Sequence, residues 1–307
     1  MTSTDPILRH DAGRDAVVIE RRFAHPLERV WRAVTEPEHL ARWFPGAPEF
    51  ELRAGGAVRF PEFAGEAAEH GRVLECEPPH RLRFTWDTDE LLFELLAEGD
   101  GTRLVLTHAF DDSAGAASFA TGWETCLEHL RAVLGGGEVP EPGPRPERHE
   151  ELAARFGLGR PEVARTTDGW SLRVERQLVC PADAAWDLLL GGGAGSPAGT
   201  LAPAVGQELR APRHPELLLG HLTAVEAPTL LVFDAAPEQP GDEVRVELTE
   251  GTGHGVRLVL TVRGAEPGEQ APAVQQWGIR AVDLIARAAL GAVAGARTGE
   301  GPSATTQ

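Results

Sequence analysis

One histidine is the best candidate in this sequence for acid–base chemistry. His108 follows Leu104 and Leu106 in an alternating stretch, so we expect its side chain on the same apolar face of a strand. A buried neutral imidazole can donate or accept a proton near pH 7. The alternative is a structural histidine at the end of a strand, hydrogen-bonded by backbone or water, and the pattern favours this alternative.

The other candidates for chemistry are isolated. His70 precedes a predicted strand, while Glu94 and Glu247 occupy matching places in the two halves of the chain. Either carboxylate could enter a cavity, but an exposed sheet face is the commoner position for Glu. The sequence contains no zinc-ligand spacing, phosphate-binding loop, dinucleotide fingerprint or nucleophile elbow. It therefore predicts no catalytic site, no metal site and no cofactor.

Apolar side chains around His108 could instead form the wall of a ligand pocket. The predicted lining residues all belong to apolar faces of strands or helices, and they are Trp43, Phe44, Phe84, Trp86, Leu104, Leu106, His108, Phe119, Trp123 and Leu127. Core packing explains the same residues at least equally well, because large aromatic side chains dominate protein cores. The choice between pocket and core stays open at this point.

The segments that would position these residues follow a simple order. Residues 17–24 predict a strand, and Pro26 suits the start of a short helix. Thr35 and Glu38 have the spacing of a capping box, which predicts a second short helix. The following pattern predicts strands at 57–60, 71–76, 81–86, 91–98 and 102–110, joined as an antiparallel meander. A long helix from Phe119 then ends at the glycines 135–137.

The second half of the chain repeats the first. Residues 18–31 (VIERRFAHPLERVW) correspond to 173–186 (RVERQLVCPADAAW), and RLVLT occurs at both 103–107 and 257–261. The matched single residues are Glu20, Arg21, Pro26, Trp31 and Trp123 with Glu175, Arg176, Pro181, Trp186 and Trp277. Motifs repeated in one order predict a tandem duplication of one fold.

The repeat predicts two domains of α+β class, each a curved antiparallel sheet wrapped around a long C-terminal helix. We expect the first at residues 1–158, with residues 149–158 as a helix packed beside it, and a degenerate second domain at 166–293. A Gly-rich run at 191–199 replaces the second short helix there, and Ala281 and Ala288 replace Leu127 and Leu134. These departures weaken the prediction of a cavity in the second domain. Residues 1–15 and those after Gly291 are expected to be loose.

Four sequence segments resemble a known superfamily. They are FAHPLERVWRAVTEPEHLARWF at 23–44, GRVLECEPPHRLRFTW at 71–86, GTRLVLTHAF at 101–110 and GWETCLEHLRAVL at 122–134. They resemble the START-like superfamily (SRPBCC, with the helix-grip or birch-pollen-allergen-like fold), and within it the family named for activators of the heat-shock-chaperone ATPase. The resemblance implies the fold. Its members include carriers of hydrophobic ligands, polyketide cyclases, stress-related proteins and modules that dock on the chaperone.

Composition narrows the possible partners. The formal net charge of −18 disfavours nucleic acid and anionic membranes, because both require clustered positive charge. The three cysteines (Cys76, Cys126 and Cys180) suit buried thiols in a reducing compartment, and the N-terminus lacks the pattern of a signal peptide. No apolar run approaches about 20 residues. The sequence predicts a soluble, cytoplasmic protein.

Three functional hypotheses remain from the sequence. The first is a non-enzymatic protein that binds a small apolar molecule in the cavity of the first domain. The second is a cyclase or aromatase that folds a polyketide-like chain, with His108 as its acid or base. The third is an interaction module for a protein partner, such as a chaperone. The lack of a catalytic set favours the first hypothesis.

Overall fold

The computed structural model describes residues 5–11, 13–61, 71–191, 203–212, 214–253 and 255–299. Its internal contacts divide the chain into two units, Met1–Arg145 and Pro146–Gln307. His70 and residues 192–199 of the Gly-rich run lie outside the described residues.

Alternating apolar and polar residues give the first unit an eight-stranded antiparallel sheet. Its strands are β1 (Ile7–Asp11), β2 (Arg14–Phe23), β3 (Glu49–Phe50), β4 (Ala57–Arg59), β5 (Gly71–Glu77), β6 (Arg81–Trp86), β7 (Asp89–Glu98) and β8 (Gly101–Phe110). They lie in the order β1-β2-β8-β7-β6-β5-β4-β3. Leu106 of β8 lies opposite Ile19 of β2 and Phe93 of β7, and all three side chains are fully buried. The inward face of β8 therefore forms the centre of this core.

Three helices complete the first unit: α1 (Leu27–Ala33), α2 (Pro37–Leu40) and α3 (Ala116–Gly135). Helix α3 packs against β2, and its buried face includes Trp123, Leu127, Leu130 and Leu134 at helical spacing. The helix ends at Gly136, whose φ of 70° lies in the left-handed region that glycine adopts without steric cost. A long amphipathic helix therefore lies against the sheet, as the sequence predicted.

The second unit contains a seven-stranded antiparallel sheet. Its strands are β9 (Glu162–Thr166), β10 (Gly169–Gln177), β11 (Glu208–Ala211), β12 (His214–Glu226), β13 (Leu230–Ala235), β14 (Glu243–Thr249) and β15 (Arg257–Gly264). Its helices are α4 (Pro146–Phe156), α5 (Ala182–Leu189), α6 (Gln270–Ala273) and α7 (Val282–Gly299), with the π-helical segment Val274–Ala281 between the last two.

The two sheets share one strand order, except that the first has an additional strand, β3, at its edge. The second sheet has the order β11-β12-β13-β14-β15-β10-β9, and reading it backwards pairs β9, β10 and β15 with β1, β2 and β8. In each unit the sheet is followed by a long C-terminal helical segment. The predicted fold class, two tandem α+β helix-grip domains, is confirmed. The duplication stays an interpretation, which the shared topology supports.

Three terminal or capping predictions are wrong. Residues 7–11 form β1, because their backbone pairs with β2 although their side chains lack an apolar pattern. Helix α7 continues past Gly291 to Gly299. Glu36, not Thr35, is the N-cap of α2, because the Thr35 hydroxyl donates to the Trp31 carbonyl at 2.8 Å and terminates α1 instead.

The helix predicted beside the first domain belongs to the second unit. Helix α4 begins at Pro146, where the division between the units falls. Its Glu150 forms an ion pair with Arg176 of β10, and its Leu152 and Ala153 are fully buried. The boundary therefore lies before this helix, whereas the sequence placed it after residue 158.

Candidate functional site

The aromatic residues predicted to line a pocket in the first unit contact one another. Phe44, which follows α2, lies near the centre of the group. Its ring centroid is 5.3 Å from that of Trp123, 5.4 Å from Trp43 and 5.6 Å from Trp86, with Phe84 at 6.2 Å. Such separations are typical of interacting aromatic pairs. The short helices, β6 and α3 therefore bring this part of the predicted set together.

The remaining predicted residues belong to the same core. Leu104, Leu106 and Leu127 are buried, and the ring centroid of Phe119 lies 4.6 Å from that of His108. Of the ten predicted residues, only Trp86 and Phe119 retain intermediate exposure. The side chains contact one another as a core does, and a ligand site among them stays a prediction.

His108 lies inside a short hydrogen-bonded chain. Its Nε2 atom is 2.9 Å from Asp89 Oδ2, and its Nδ1 atom is 3.0 Å from the indole nitrogen of Trp123. An indole N–H can only donate, so Nδ1 must accept that bond, and the ring proton belongs on Nε2 facing Asp89. The imidazole is 3% exposed. Trp123 and Asp89 therefore fix one neutral tautomer of His108.

This chain of contacts reaches the surface through a carboxylate. Asp89 begins β7, and its other oxygen lies 3.9 Å from the Arg14 guanidinium. Arg14 also donates to Asp111 at 2.7 Å and to the Thr88 carbonyl at 2.8 Å. Both ring nitrogens of His108 are thus engaged with protein groups. Proton transfer with a bound substrate would require one of these bonds to break.

A large apolar cavity lies in the second unit. Its volume is about 490 Å³, and it lies between the sheet, α5 and the final helical segment. Its apolar lining residues are Leu188, Leu189, Leu209, Ala211, Pro212, Leu217, Leu219, Leu231, Phe233, Val244, Val246, Leu260, Trp277, Ala281, Leu284, Ile285 and Ala288. The described residues of the second unit thus form a cavity large enough for a ligand. The sequence had weakened the prediction of a cavity in this domain.

Small residues on the last helix leave room for this cavity. Ala281 and Ala288 line the cavity, and the corresponding residues of α3 are the larger, buried Leu127 and Leu134. Replacing a buried Leu by Ala removes three methyl or methylene carbons, and surrounding structure fills the gap only partly. What the sequence presented as degeneration is therefore the chemical origin of the cavity.

The π-helical segment also changes which face of the last helix is buried. By correspondence with α3, Ala281, Leu284 and Ala288 would face the core. Instead Val282, Ala286 and Ala289 are buried, and Leu284 is 51% exposed. A π-helical turn contains extra residues, so the residues after it are rotated around the helix axis. The three residues predicted to face the core, Ala281, Leu284 and Ala288, consequently border the cavity and its opening instead.

The opening of the cavity combines exposed apolar and polar side chains. Leu217 is 40% exposed and Leu284 51% exposed. Three polar side chains, His214, Gln276 and Arg280, also line the cavity. The interior is therefore apolar while the rim can contact a polar group.

Sequence reasoning missed this second site. The available signals were Ala281 and Ala288 in place of Leu, together with the apolar run of β13 and the apolar alternation of β14. The alanines count in the sequence as a departure that weakens the prediction of a cavity in the second domain. The π-helical rotation has no comparable signal in a 3.6-residue pattern.

Metal and thiolate chemistry receive no support from the described residues. Within the described ranges, no group of three or more His, Cys, Asp or Glu side chains could hold a metal ion. Burial raises the pKa of Cys126 to about 12 and that of Cys180 to about 11. The pKa of the Cys76 thiol is also raised by burial. A thiol, unlike a thiolate, is a poor nucleophile at neutral pH.

We expect slow thiol modification in the native chain. With Ellman's reagent at pH 8, Cys76 should react first, and Cys126 and Cys180, whose pKa values are raised to about 12 and about 11, should react at least about 100-fold more slowly than a free thiol. Raising the pH toward the raised pKa values should speed the reaction, because the thiolate fraction grows. The control is the chain in guanidinium, where all three should react rapidly. If the thiols of the native chain reacted as fast as those of the chain in guanidinium, this result would contradict their burial.

In the part of the chain with a described structure, no helix has the length and hydropathy needed to cross a membrane. Residues 24–135 match the family model described as activator of Hsp90 ATPase homolog 1-like protein. A comparison with curated proteins finds none that matches.

Several solved structures are similar to about half of the chain. The crystal structure of CalU16 from Micromonospora echinospora is 28% identical, covers 51% of this chain and 97% of that protein, and has a TM-score of 0.40. The solution structure of CalU16 is 30% identical, with coverages of 50% and 94% and a TM-score of 0.42. EF2215 from Enterococcus faecalis, a protein of unknown function, is 23% identical, with coverages of 50% and 90% and a TM-score of 0.44.

Proposed function

Because residues 24–135 belong to the activator of Hsp90 ATPase homolog 1-like family, within the START-like helix-grip superfamily, we propose that this chain is a non-enzymatic binding protein for a small apolar molecule. The sequence placed the ligand in the first domain. We place it in the second unit, between the sheet and the last helical segment. The observation that carries this proposal is the apolar cavity there.

The size and lining of the cavity suit a small organic ligand. Pockets for such ligands have volumes of roughly 300–1,000 Å³ and mostly apolar walls. The cavity of about 490 Å³ falls within this range, and Phe233, Val244 and Val246 give it a rigid floor on the sheet. Each methylene group moved from water to such a wall contributes about 0.8 kcal/mol. A ligand of about ten carbons could thus bind without any ion pair.

The environment of His108 supports binding without catalysis. A general acid or base needs a ring nitrogen within hydrogen-bond reach of the substrate. Trp123 and Asp89 engage both nitrogens of His108, and the imidazole is held in one tautomer. The cavity of the second unit is lined by one histidine, His214, whose Nδ1 atom lies 3.1 Å from the Glu216 carboxylate at the exposed rim. Neither histidine is placed to act on the interior of that cavity.

Filling the cavity should weaken binding. In the full chain, Ala281→Leu with Ala288→Leu restores the residues found at the corresponding places of α3 and occupies the space between helix and sheet. We expect the affinity for the neutral apolar dye Nile red, measured by fluorescence titration, to fall at least about tenfold. Stability should not fall, because added methylene groups fill empty volume.

The control is Ala154→Leu, which makes one such replacement at an exposed position of α4 outside the cavity. Its affinity should equal that of the unmodified chain. Dye binding that survives the double substitution would move the site elsewhere, with the aromatic group around Phe44 as the next position to test. An unmodified chain that binds no apolar probe would refute the proposed function.

A further inference from the structure

We propose that the ligand of the second-unit cavity is an amphiphile with an anionic head group, held at the opening by Arg280. This inference rests on the proposed function and specifies its ligand class. The apolar tail would occupy the cavity, and a carboxylate or phosphate would contact the guanidinium at the rim.

Arg280 differs from the other polar residues of the lining because its charge is not engaged. Gln276 donates to the side-chain oxygen of Gln239 at 2.8 Å, and His214 faces Glu216 at 3.1 Å. No described carboxylate lies within ion-pair distance (4.0 Å) of Arg280, a residue that is itself exposed. Arg280 is therefore a cation at the edge of the apolar cavity that is available to contact a ligand.

The position of Arg280 places its charge where the cavity opens. It lies in the π-helical segment, four residues before Leu284, which is 51% exposed at the opening. Residues four apart on a helix lie on nearby parts of its surface. Its neighbour Ala281, together with Ile285 and Ala288, lines the apolar interior. An arginine can lay its aliphatic stem along such a surface and keep the guanidinium in water.

Guanidinium chemistry matches the head group of an acid. Its planar fork can donate two parallel hydrogen bonds to a carboxylate or phosphate, and charge-assisted bonds of this kind are stronger than neutral ones. The overall negative charge of the chain is screened beyond roughly 10 Å at moderate salt, so the local cation decides the preference. A neutral ligand of equal length would keep the contacts of the tail and lose this interaction.

The test compares ligands that share a tail and differ in the head group. Displacement of Nile red from the full chain at pH 8 would measure the affinities of dodecanoic acid, dodecyl phosphate and 1-dodecanol. We expect at least one of the two anionic ligands to bind about tenfold more tightly than the alcohol. Arg280→Gln should reduce that ratio to about one and leave the affinity for the alcohol unchanged.

The matched control is Arg287→Gln, which removes an exposed charge from α7 at a position that does not line the cavity. The ratio should persist in this variant. Equal affinities for all three ligands in the unmodified chain would overturn this inference while the binding function stands. A preference that survives Arg280→Gln would overturn it as well, and failure of every ligand to bind would refute the proposed function itself.

Discussion

Replacing Glu124 by Ala is expected to lower the free energy of unfolding of the first unit by about 3–5 kcal/mol. Glu124 lies on α3 and accepts a hydrogen bond from Arg21 of β2, with 3.3 Å between the nitrogen and the oxygen. The two side chains are 7% and 8% exposed. The substitution would leave a guanidinium charge inside the unit with its nearest carboxylate removed.

The charge of Arg21 cannot be relieved by loss of a proton. Burial lowers the pKa of Arg21, while the adjacent Glu124 acts in the opposite direction. A guanidinium nevertheless keeps its proton in proteins. Removing both charges from water costs free energy that offsets much of their attraction, so the pair contributes little net stability although breaking it is costly. Replacing both residues, as Arg21→Met with Glu124→Leu, should therefore restore most of the lost stability.

Hydrogen exchange is the appropriate measurement, because a two-domain chain need not unfold in one transition. In Glu124→Ala, the slowest amides of β2 and α3 should exchange more than about 100-fold faster. The control is Glu128→Ala, one turn further along α3. This substitution removes the ion pair between Arg145 and Glu128, and the Glu128 side chain is 55% exposed. That change should cost less than about 1 kcal/mol. Equal effects of the two substitutions would show that Arg21 does not depend on Glu124.

The strands of the first unit follow closely from local sequence patterns. The segment 81–86 alternates apolar and polar residues, and the structure has β6 at Arg81–Trp86. This success has a physical reason: one sheet face is buried, and a shift by one residue would expose its whole apolar set. β1 escapes prediction because an edge strand is held by backbone hydrogen bonds, which do not depend on an apolar pattern.

The candidate site was harder to predict than the fold. The predicted set around His108 is brought together, because the same apolar face that forms a core could also form a pocket wall. Whether space remains between side chains depends on their combined volumes and on backbone details, which periodicity does not contain. The cavity of the second unit arises from two alanines and from a π-helical segment. This segment rotates the residues that follow it, so they do not obey the 3.6-residue repeat assumed from the sequence.

The arginine repeated in both halves shows how the two units satisfy the same buried charge differently. Arg176 of β10 corresponds to Arg21, but the residue corresponding to Glu124 is Gly278. A side chain could not be added there without displacement, since a Cβ atom on Gly278 would lie 2.8 Å from Pro161. Glu150 of α4 supplies the carboxylate instead. This ion pair joins α4 to β10 within the second unit.

We therefore expect Glu150→Ala to lower the free energy of unfolding of the second unit by about 2–4 kcal/mol. The Arg176 and Glu150 side chains are 10% and 16% exposed, so water can screen the remaining charge slightly more than in the first unit. Hydrogen exchange of β10 would measure the loss. Exchange of β2 and β8 in the first unit should not change.

The adjacent residue provides a stringent control. Glu151→Ala removes an ion pair to Arg148 in which the carboxylate is 61% exposed, and it should cost less than about 1 kcal/mol. The pair of variants also tests the domain boundary, because a helix packed beside the first domain would transmit the effect of Glu150→Ala to that domain. Faster exchange in β2 with unchanged exchange in β10 would restore the boundary after residue 158. Faster exchange confined to β10 and its neighbouring strands would show that α4, which lies outside the sequence repeat, stabilises the second unit.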